Sequence, residues 1–364
     1  MAIYAVIMAG GVGSRLWPRS RQRTPKQFLD VFNEASLIQN TFARLQPLVP
    51  PEQVYVVTNQ RSVEETQRHL PAVPPANILA EPMARNTAPA IAFAAATLRA
   101  QDPDAVMIIL SADHAIHNVP AFHEVLEASI AKAADPGALI TVGIEPTYPE
   151  TGYGYLQYDA SEGKADKPEA YVVRTCAEKP DLATAERFLD SGDFLWNSGI
   201  FVWRADSILD QLAEHLPEVH AAFVPVEEAV RSGDAAAVQA AVDEAFRTTP
   251  KISIDYGVME PAAPGMNTWV VPGSFGWSDV GDWRAVYDVR EKDQAGNAVE
   301  GDVIVHNTSR SYVRAKGKLI VLVGVQDLAV VDAGDALLVC KMDATQQVKN
   351  IVDYLGSHGL EEYV

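Results

Sequence analysis

Residues 8–29 read MAGGVGSRLWPRSRQRTPKQFL, and they follow the compact apolar run Ile3–Met8, which reads as a buried strand. Gly10, Gly11 and Gly13 let the backbone approach a phosphate closely and turn its N–H groups toward it. A Walker A loop is excluded because no GKS or GKT comes after it. A dinucleotide fingerprint is excluded because Leu16 stands where its third glycine belongs. Instead the loop leads into Arg15 and, after a basic turn with Arg19, Arg21 and Arg23, into Lys26. Cations this close to a glycine loop at a strand's carboxyl end point to a triphosphate or pyrophosphate site; the competing reading is a tight turn with solvated cations.

Outward from the loop, short apolar runs alternate with helical patterns. Strands are expected at Val54–Thr58, Val106–Leu110 and Leu139–Ile144. Helices are expected at Leu37–Leu48 (with Ser36 as N-cap), Val63–Leu70, the Ala-rich Thr87–Arg99 and Phe122–Ala134. This alternation is the pattern of a parallel sheet covered on both faces. After Gly143 it loosens, with helices at Thr184–Leu189 and Ala235–Phe246. From Val303 to Lys341 five short β-rich runs are separated by Gly, Asn or Asp turns, which suits a β-solenoid or small β-roll, and a helical tail starts at Ala344. The expected division is 1–292 for an α/β domain and 293–364 for a small β-helix-like domain with a terminal helix.

The 364 residues are 48% hydrophobic and 21% charged, enough for one large domain or two. Lys plus Arg number 29 against 48 Asp plus Glu, a net charge of −19 that argues against nucleic-acid or acidic-membrane partners. An anionic substrate would therefore need local cations or a metal. Cys176 and Cys340 form no CxxC pair, so neither a disulfide framework nor a thiolate zinc site is expected. The N-terminus lacks a basic n-region, and no run approaches the ~20 apolar residues of a membrane span. A soluble, cytoplasmic protein is the expectation.

Asp113 comes just after the run Val106–Leu110 and should sit at a strand's carboxyl end. Asp279 lies in GWSDVGDW between Gly276 and Gly281, which permit an unusual backbone course. Two such carboxylates plus phosphate oxygens could hold Mg²⁺, or they could simply cap turns. Glu81, Asn86 and Thr87 could supply donors and acceptors to a base edge. A carboxylate suits guanine, which offers N1–H and an amine, although Glu81 could equally be a helix-start carboxylate. His114 and His117 lack a third ligand, so His114 reads as an orienting residue and Cys176 as a small core residue. The tryptophans read as packing residues, with Trp17 and Trp196 as possible pocket walls.

The pattern GGxGxRLxPxS…PKQ resembles the signature of the sugar-phosphate nucleotidylyltransferases, and PKQFL points to their mannose-1-phosphate guanylyltransferase branch. The resemblance continues through Glu81-Pro82-x-x-Arg85-Asn86-Thr87-Ala88-Pro89, Ala112-Asp113-His114, Pro149–Tyr155, Glu178-Lys179-Pro180, Trp196-Asn197-Ser198-Gly199, Ser253-Ile254-Asp255-Tyr256 and Trp277-Ser278-Asp279-Val280-Gly281. It departs at Ser111, where proline is common, and at Ala177, where valine is common; neither position supplies a reacting group. The resemblance implies a Rossmann-like mixed-sheet α/β nucleotidyltransferase domain followed by the small β-helix-like domain. It implies GTP and mannose 1-phosphate as substrates, Mg²⁺ as cofactor and a homodimer.

By resemblance, Ala9, Gly10, Gly11, Gly13, Ser14, Arg15, Glu81, Asn86, Thr87 and Asp113 bind the nucleotide, with Arg15, Lys26 and Asp113 catalytic. Arg15 would neutralise the β- and γ-phosphates and Lys26 the α-phosphate. Gly154, Glu178, Lys179 and Asn197 would bind the sugar phosphate, and Asp113 and Asp279 the metal. The expected rivals are an enzyme for another sugar or base, a catalytically silent regulator that binds the sugar nucleotide, and, more distantly, a nicotinamide oxidoreductase. Longer relatives continue into a cupin-type isomerase domain, whereas this sequence stops at Glu362-Tyr363-Val364, so transferase activity without isomerase activity is expected.

Overall fold

The structure, a computed structural model, describes residues 2–159, 168–265 and 267–364. Its strands are β1 (Ile3–Ala9), β2 (Val54–Asn59), β3 (Ile78–Glu81), β4 (Val106–Ser111), β5 (Ala115–Ile116), β6 (Leu139–Ile144), β7 (Gly154–Tyr158), β8 (Tyr171–Ala177), β9 (Phe194–Arg204), β10 (Thr268–Gly273), β11 (Trp277–Ser278), β12 (Ala298–Glu300), β13 (Val303–His306), β14 (Tyr312–Arg314), β15 (Ile320–Val323), β16 (Leu328–Asp332) and β17 (Leu337–Lys341). They belong to two compact units. The first takes the chain up to Gly10, Phe42–Ala112 and Ile116–Trp277; the second takes Gly11–Thr41, Asp113–Ala115 and Ser278–Val364.

The first unit is built on a nine-stranded sheet of order β3-β2-β1-β4-β9-β6-β10-β8-β7. Strands β3, β2, β1 and β4 are parallel, as the alternation predicts, and β10 is parallel to β6. The sheet is mixed because β9 enters between β4 and β6 antiparallel to both, and β7 and β8 are antiparallel additions. Leu195, Trp196, Ile200, Phe201, Val202 and Trp203 of β9 are buried, the near-continuous apolar run of a strand covered on both faces. In the parallel part, Ala9 pairs with Thr58 and Thr58 with Ala80. The carboxyl ends of these strands therefore lie in one row, where open α/β sheets bind their ligands.

The Ala-rich helix Thr87–Gln101 is buried from Ala88 to Leu98 on every face, so it lies inside the unit. Its Phe93 meets Phe223 and Phe246, from the helices Pro217–Ser232 and Ala235–Thr248, at ring centroid distances of 6.3 and 5.9 Å. The helix Val119–Ala133 buries Phe122, whose ring meets Phe275 edge to face at 5.3 Å.

In the second unit, β12, β14 and β16 pair in parallel, as do β13 and β15, while β17 returns antiparallel to β16. Stacked short parallel strands give the β-helical architecture that the evenly spaced runs predict. Trp283 stacks on Tyr312 at 5.6 Å within a core that also holds Leu16, Trp17, Leu29, Val31, Val331, Met342 and Val348. The segment after the glycine loop is thus part of this core. Trp283 Nε1 donates to the Trp17 carbonyl (2.8 Å), and Trp17 Nε1 donates to the carbonyl of Tyr363 (2.7 Å). Ser36 caps the helix Leu37–Arg44: Gln39 Oε1 accepts from the Ser36 N–H at 2.9 Å while Ser36 Oγ faces the Gln39 N–H at 3.4 Å, a capping box.

Candidate active site

In the second unit the loop is folded around Lys26. Its N–H donates to the Val12 carbonyl (3.0 Å), and Gly13 sits at φ +74°, where a side chain is strained. A Cβ on Gly13 would lie 2.4 Å from Lys26 Cβ, so the glycine is required by both backbone and space. Lys26 is buried, 5% exposed. Its ammonium lies 2.8 Å from Asp113 Oδ2 and donates to the Asp279 carbonyl, also at 2.8 Å. One cation thus gathers two residues that are far apart in sequence.

The basic turn divides by use. Arg19 is paired with Asp30, Arg21 makes a two-pronged pair with Asp335 at 2.6 Å, and Arg23 reaches the same carboxylate at 3.4 Å. These pairs line a cavity of about 210 Å³ that also includes Thr24, Phe28 and Lys316. Its guanidinium groups are already committed to carboxylates. Arg15, in the turn Ser14–Leu16, is exposed.

Asp279 opens a strained turn. Its Oδ1 accepts from the Gly281 N–H (3.1 Å), and Val280, a β-branched residue, is held at φ +50°. A side chain on Gly281 would meet Asp279 Oδ2 at 2.7 Å. Strain of about 1–3 kcal/mol at such a position persists where surrounding structure fixes it, commonly at ligand sites. Among the described residues no group of three or more His, Cys, Asp or Glu is placed to hold a metal. Mg²⁺ needs only one or two carboxylates when phosphates complete its shell, so the hard oxygens of Asp113 and Asp279 fit it.

In the first unit, Glu81 ends β3 and lies beside the loop's first glycine, where a Cβ on Gly10 would be 3.2 Å from its Oε2. Burial pushes its carboxyl up to about 7. Asn86, at φ +69°, caps the Ala-rich helix by accepting from the Thr87 N–H (2.9 Å), and Thr87 Oγ1 accepts from the Ile254 N–H (2.9 Å). Both keep a donor, the Asn86 amide N–H₂ and the Thr87 hydroxyl proton. Arg85 donates to the Phe246 and Arg247 carbonyls near a helix end, a structural use.

A second cluster in this unit joins β7, β8 and β9. Gly154 pairs with Asn197, and a Cβ on Gly154 would meet Glu178 Oε2 at 2.6 Å. Asn197 lies at an irregularity of the β6–β9 ladder, which re-aims its side chain. Lys179, at φ +49°, places its ammonium 2.8 Å from Glu178 Oε1. Burial alone would lower this ammonium, but the bond to Glu178 and the nearby Asp255 carboxylate hold it above its ordinary value.

The sequence singles out the segment Ser253–Tyr256 but gives its carboxylate no role. Asp255 Oδ1 accepts from Asn197 Nδ2 (2.9 Å), and Glu260 Oε1 accepts from the Glu178 N–H (2.9 Å). Burial and the neighbouring Glu178 push Asp255 up to about 6. Cys176 is buried, and burial with the surrounding Asp255, Glu260 and Glu178 carboxylates pushes its thiol up, away from nucleophilic use. Trp17 is a core residue and Trp196 packs edge to face on Tyr148 and Tyr153 at 5.0 and 5.3 Å.

A family model described as "Nucleotidyl transferase" matches residues 4–296, and one described as "MannoseP isomerase/GMP-like beta-helix domain" matches residues 301–355. The mannose-1-phosphate guanylyltransferase ManC of Salmonella typhimurium is 42% identical over 99% of this chain and 75% of its own length. The mannose-1-phosphate guanylyltransferase of Escherichia coli K12 is 40% identical over 99% of this chain and 75% of its own. The crystal structure of mannose-1-phosphate geranyltransferase from Thermus thermophilus superposes with a TM-score of 0.86 at 32% identity, over 98% of this chain and all of that one.

Proposed function

Since the chain belongs to the mannose-1-phosphate guanylyltransferases, we propose that it converts GTP and α-D-mannose 1-phosphate into GDP-mannose and pyrophosphate by in-line attack. An oxygen of the sugar phosphate forms the new bond to the GTP α-phosphorus as the bond to the bridging α–β oxygen breaks, and pyrophosphate carries away that electron pair. The nucleophile is already ionised at neutral pH, so no general base is needed. The task is to hold two anions together and offset the charge that builds at phosphorus.

The observation that carries this reading is the buried Lys26 ammonium beside the glycine loop, bound to both Asp113 and the Asp279 backbone. Lys26 is assigned to the α-phosphate and Arg15 to the departing β- and γ-phosphates. The backbone of Ala9, Gly10, Gly11, Gly13 and Ser14 is assigned to the nucleotide. Asp113 and Asp279 would hold Mg²⁺, which supplies further charge neutralisation on the phosphates. Glu81 is assigned to guanine N1–H and its amine, with the remaining donors of Asn86 and Thr87 available to the base's acceptors. Gly154, Glu178 and Asn197 are assigned to the mannose ring and Lys179 to its phosphate. The reading extends to a homodimer in the cytoplasm; the exposed Leu319, Val321 and Val323 favour self-association and light scattering tests it.

The deciding experiment is pyrophosphate release across a matrix of nucleoside triphosphates and sugar 1-phosphates, with Mg²⁺ and with EDTA. Release confined to GTP with mannose 1-phosphate and abolished by EDTA is expected. Release with another pair would move the specificity. None with any pair, despite binding of GDP-mannose, would replace the enzyme with a silent regulator.

A further inference from the structure

Asp255–Met259 form a π-turn, closed by the Glu260 N–H donating to the Asp255 carbonyl. In an α-helix residues five apart point about 140° away from each other. The i→i+5 bond instead stacks residues 255 and 260 one turn apart, so that both carboxylates serve the same neighbouring strands. Asp255 takes the amide of Asn197 on β9, and Glu260 takes the backbone N–H of Glu178, just past β8.

The orientation of Asn197 is set by its other partners. The Gly199 N–H can only donate, and it lies 3.1 Å from Asn197 Oδ1, with Thr141 Oγ1 donating to the same oxygen at 3.0 Å. The N–H₂ side must therefore face Asp255. One of its two protons goes to Asp255 Oδ1, which leaves the second to point elsewhere. Around it, Glu178, Asp255 and Glu260 outnumber the cation Lys179. Such an acid-rich, amide-containing group suits hydroxyl donors of a neutral ring rather than a phosphate.

We propose that Asp255 is a positioning residue for the sugar: held by the π-turn, it fixes the Asn197 amide beside Gly154 and Glu178 and so sets recognition of the ring hydroxyls. This rests on the assignment of Asn197 and Glu178 to mannose. In the Asp255→Ala protein the amide keeps Gly199 and Thr141 on its oxygen, but its N–H₂ side loses the acceptor that holds it in place. The expected result is a rise of about tenfold or more in KM for mannose 1-phosphate, with kcat and KM for GTP within about twofold. Asp255→Asn, which keeps an acceptor in place, should recover KM to within about threefold. Asp255→Ser, too short to reach Asn197, should behave as Ala does and guards against an Ala variant that fails to fold. Binding of GDP-mannose and of GDP, measured by calorimetry, gives a readout without turnover, in which the affinity advantage of GDP-mannose over GDP should shrink about tenfold in Asp255→Ala and Asp255→Ser. An unchanged KM for the sugar phosphate, an equal rise in both KM values, or an unchanged GDP-mannose advantage would overturn the proposal. A wild-type protein that releases no pyrophosphate but loses its GDP-mannose advantage on Asp255→Ser would sink the enzymatic reading and uphold the positioning role.

Discussion

The cluster around Lys26 and the cluster around Asn197 are built on opposite electrostatic plans. Around Lys26, a buried cation collects a carboxylate and a carbonyl from two distant segments, and three neighbouring arginines are spent on ion pairs that shape the loop. Around Asn197, carboxylates are in excess, and a π-turn and a ladder irregularity hold an amide between them. On the proposed function, the first arrangement would meet added anions and the second neutral donors. On that reading, a chain with a net charge of −19 must meet its phosphates with a few local cations, Arg15, Lys26 and Lys179.

The contrast breaks most sharply at Lys26. Lys26→Met should lower kcat by about 10³-fold, as loss of a donor to developing charge does, with the fold kept by circular dichroism. Turnover within tenfold of wild type would remove Lys26 from the chemistry. On the sugar side, Gly154→Ala pushes against the Glu178 carboxylate. It should cost ~10- to ~100-fold in kcat/KM for mannose 1-phosphate, while KM for GTP stays put. Equal losses for both substrates would erase the distinction between the clusters.

Glu81 sharpens the comparison through pH. In its proposed role the carboxyl must be ionised to accept from guanine, and burial has raised it to about 7. KM for GTP should therefore climb about tenfold between pH 8 and 6, and Glu81→Gln should bind GTP poorly but without that slope. The free protein should show the matching sign. The native state holds a proton through the window from about 4.5 to 7 that the unfolded chain has lost, so stability falls as pH rises through it, and Glu81→Gln flattens the trend in thermal melts. The smallest effect belongs to Arg23, whose exposed pair at 3.4 Å should be worth under ~0.5 kcal/mol. Arg23→Ala should leave turnover unchanged; a large loss would give the basic turn a direct role.

The phosphate side is legible in the sequence because its parts are contiguous or carried by short motifs: strand, glycines, Arg15 and Lys26 lie within one stretch, and Asp113 comes after a clear strand. The sugar side is legible only in part. Glu178, Lys179 and Asn197 stand in recognisable tripeptides, but Asp255 and Glu260 act through a π-turn, which has no periodicity to read. Strand β9 escapes as an element for a related reason. Asn197-Ser198-Gly199 interrupts its apolar pattern, and Gly199 sits at φ +69° inside it. The same interruption aims the amide, so the feature that hides the strand is the one that orients Asn197. The helices Ala205–His215 and Pro217–Ser232 also go unread, the second carrying Pro225 inside it.

The bond from the Trp17 indole to the carbonyl of Tyr363 has a mechanical consequence. Trp17 also gives its own carbonyl to Trp283 and stands two residues after Arg15. A displacement of Tyr363 is therefore felt at Trp17 through this bond as well as along the chain. The last turn of the chain and the segment that carries Arg15 are thus fastened to each other at one indole.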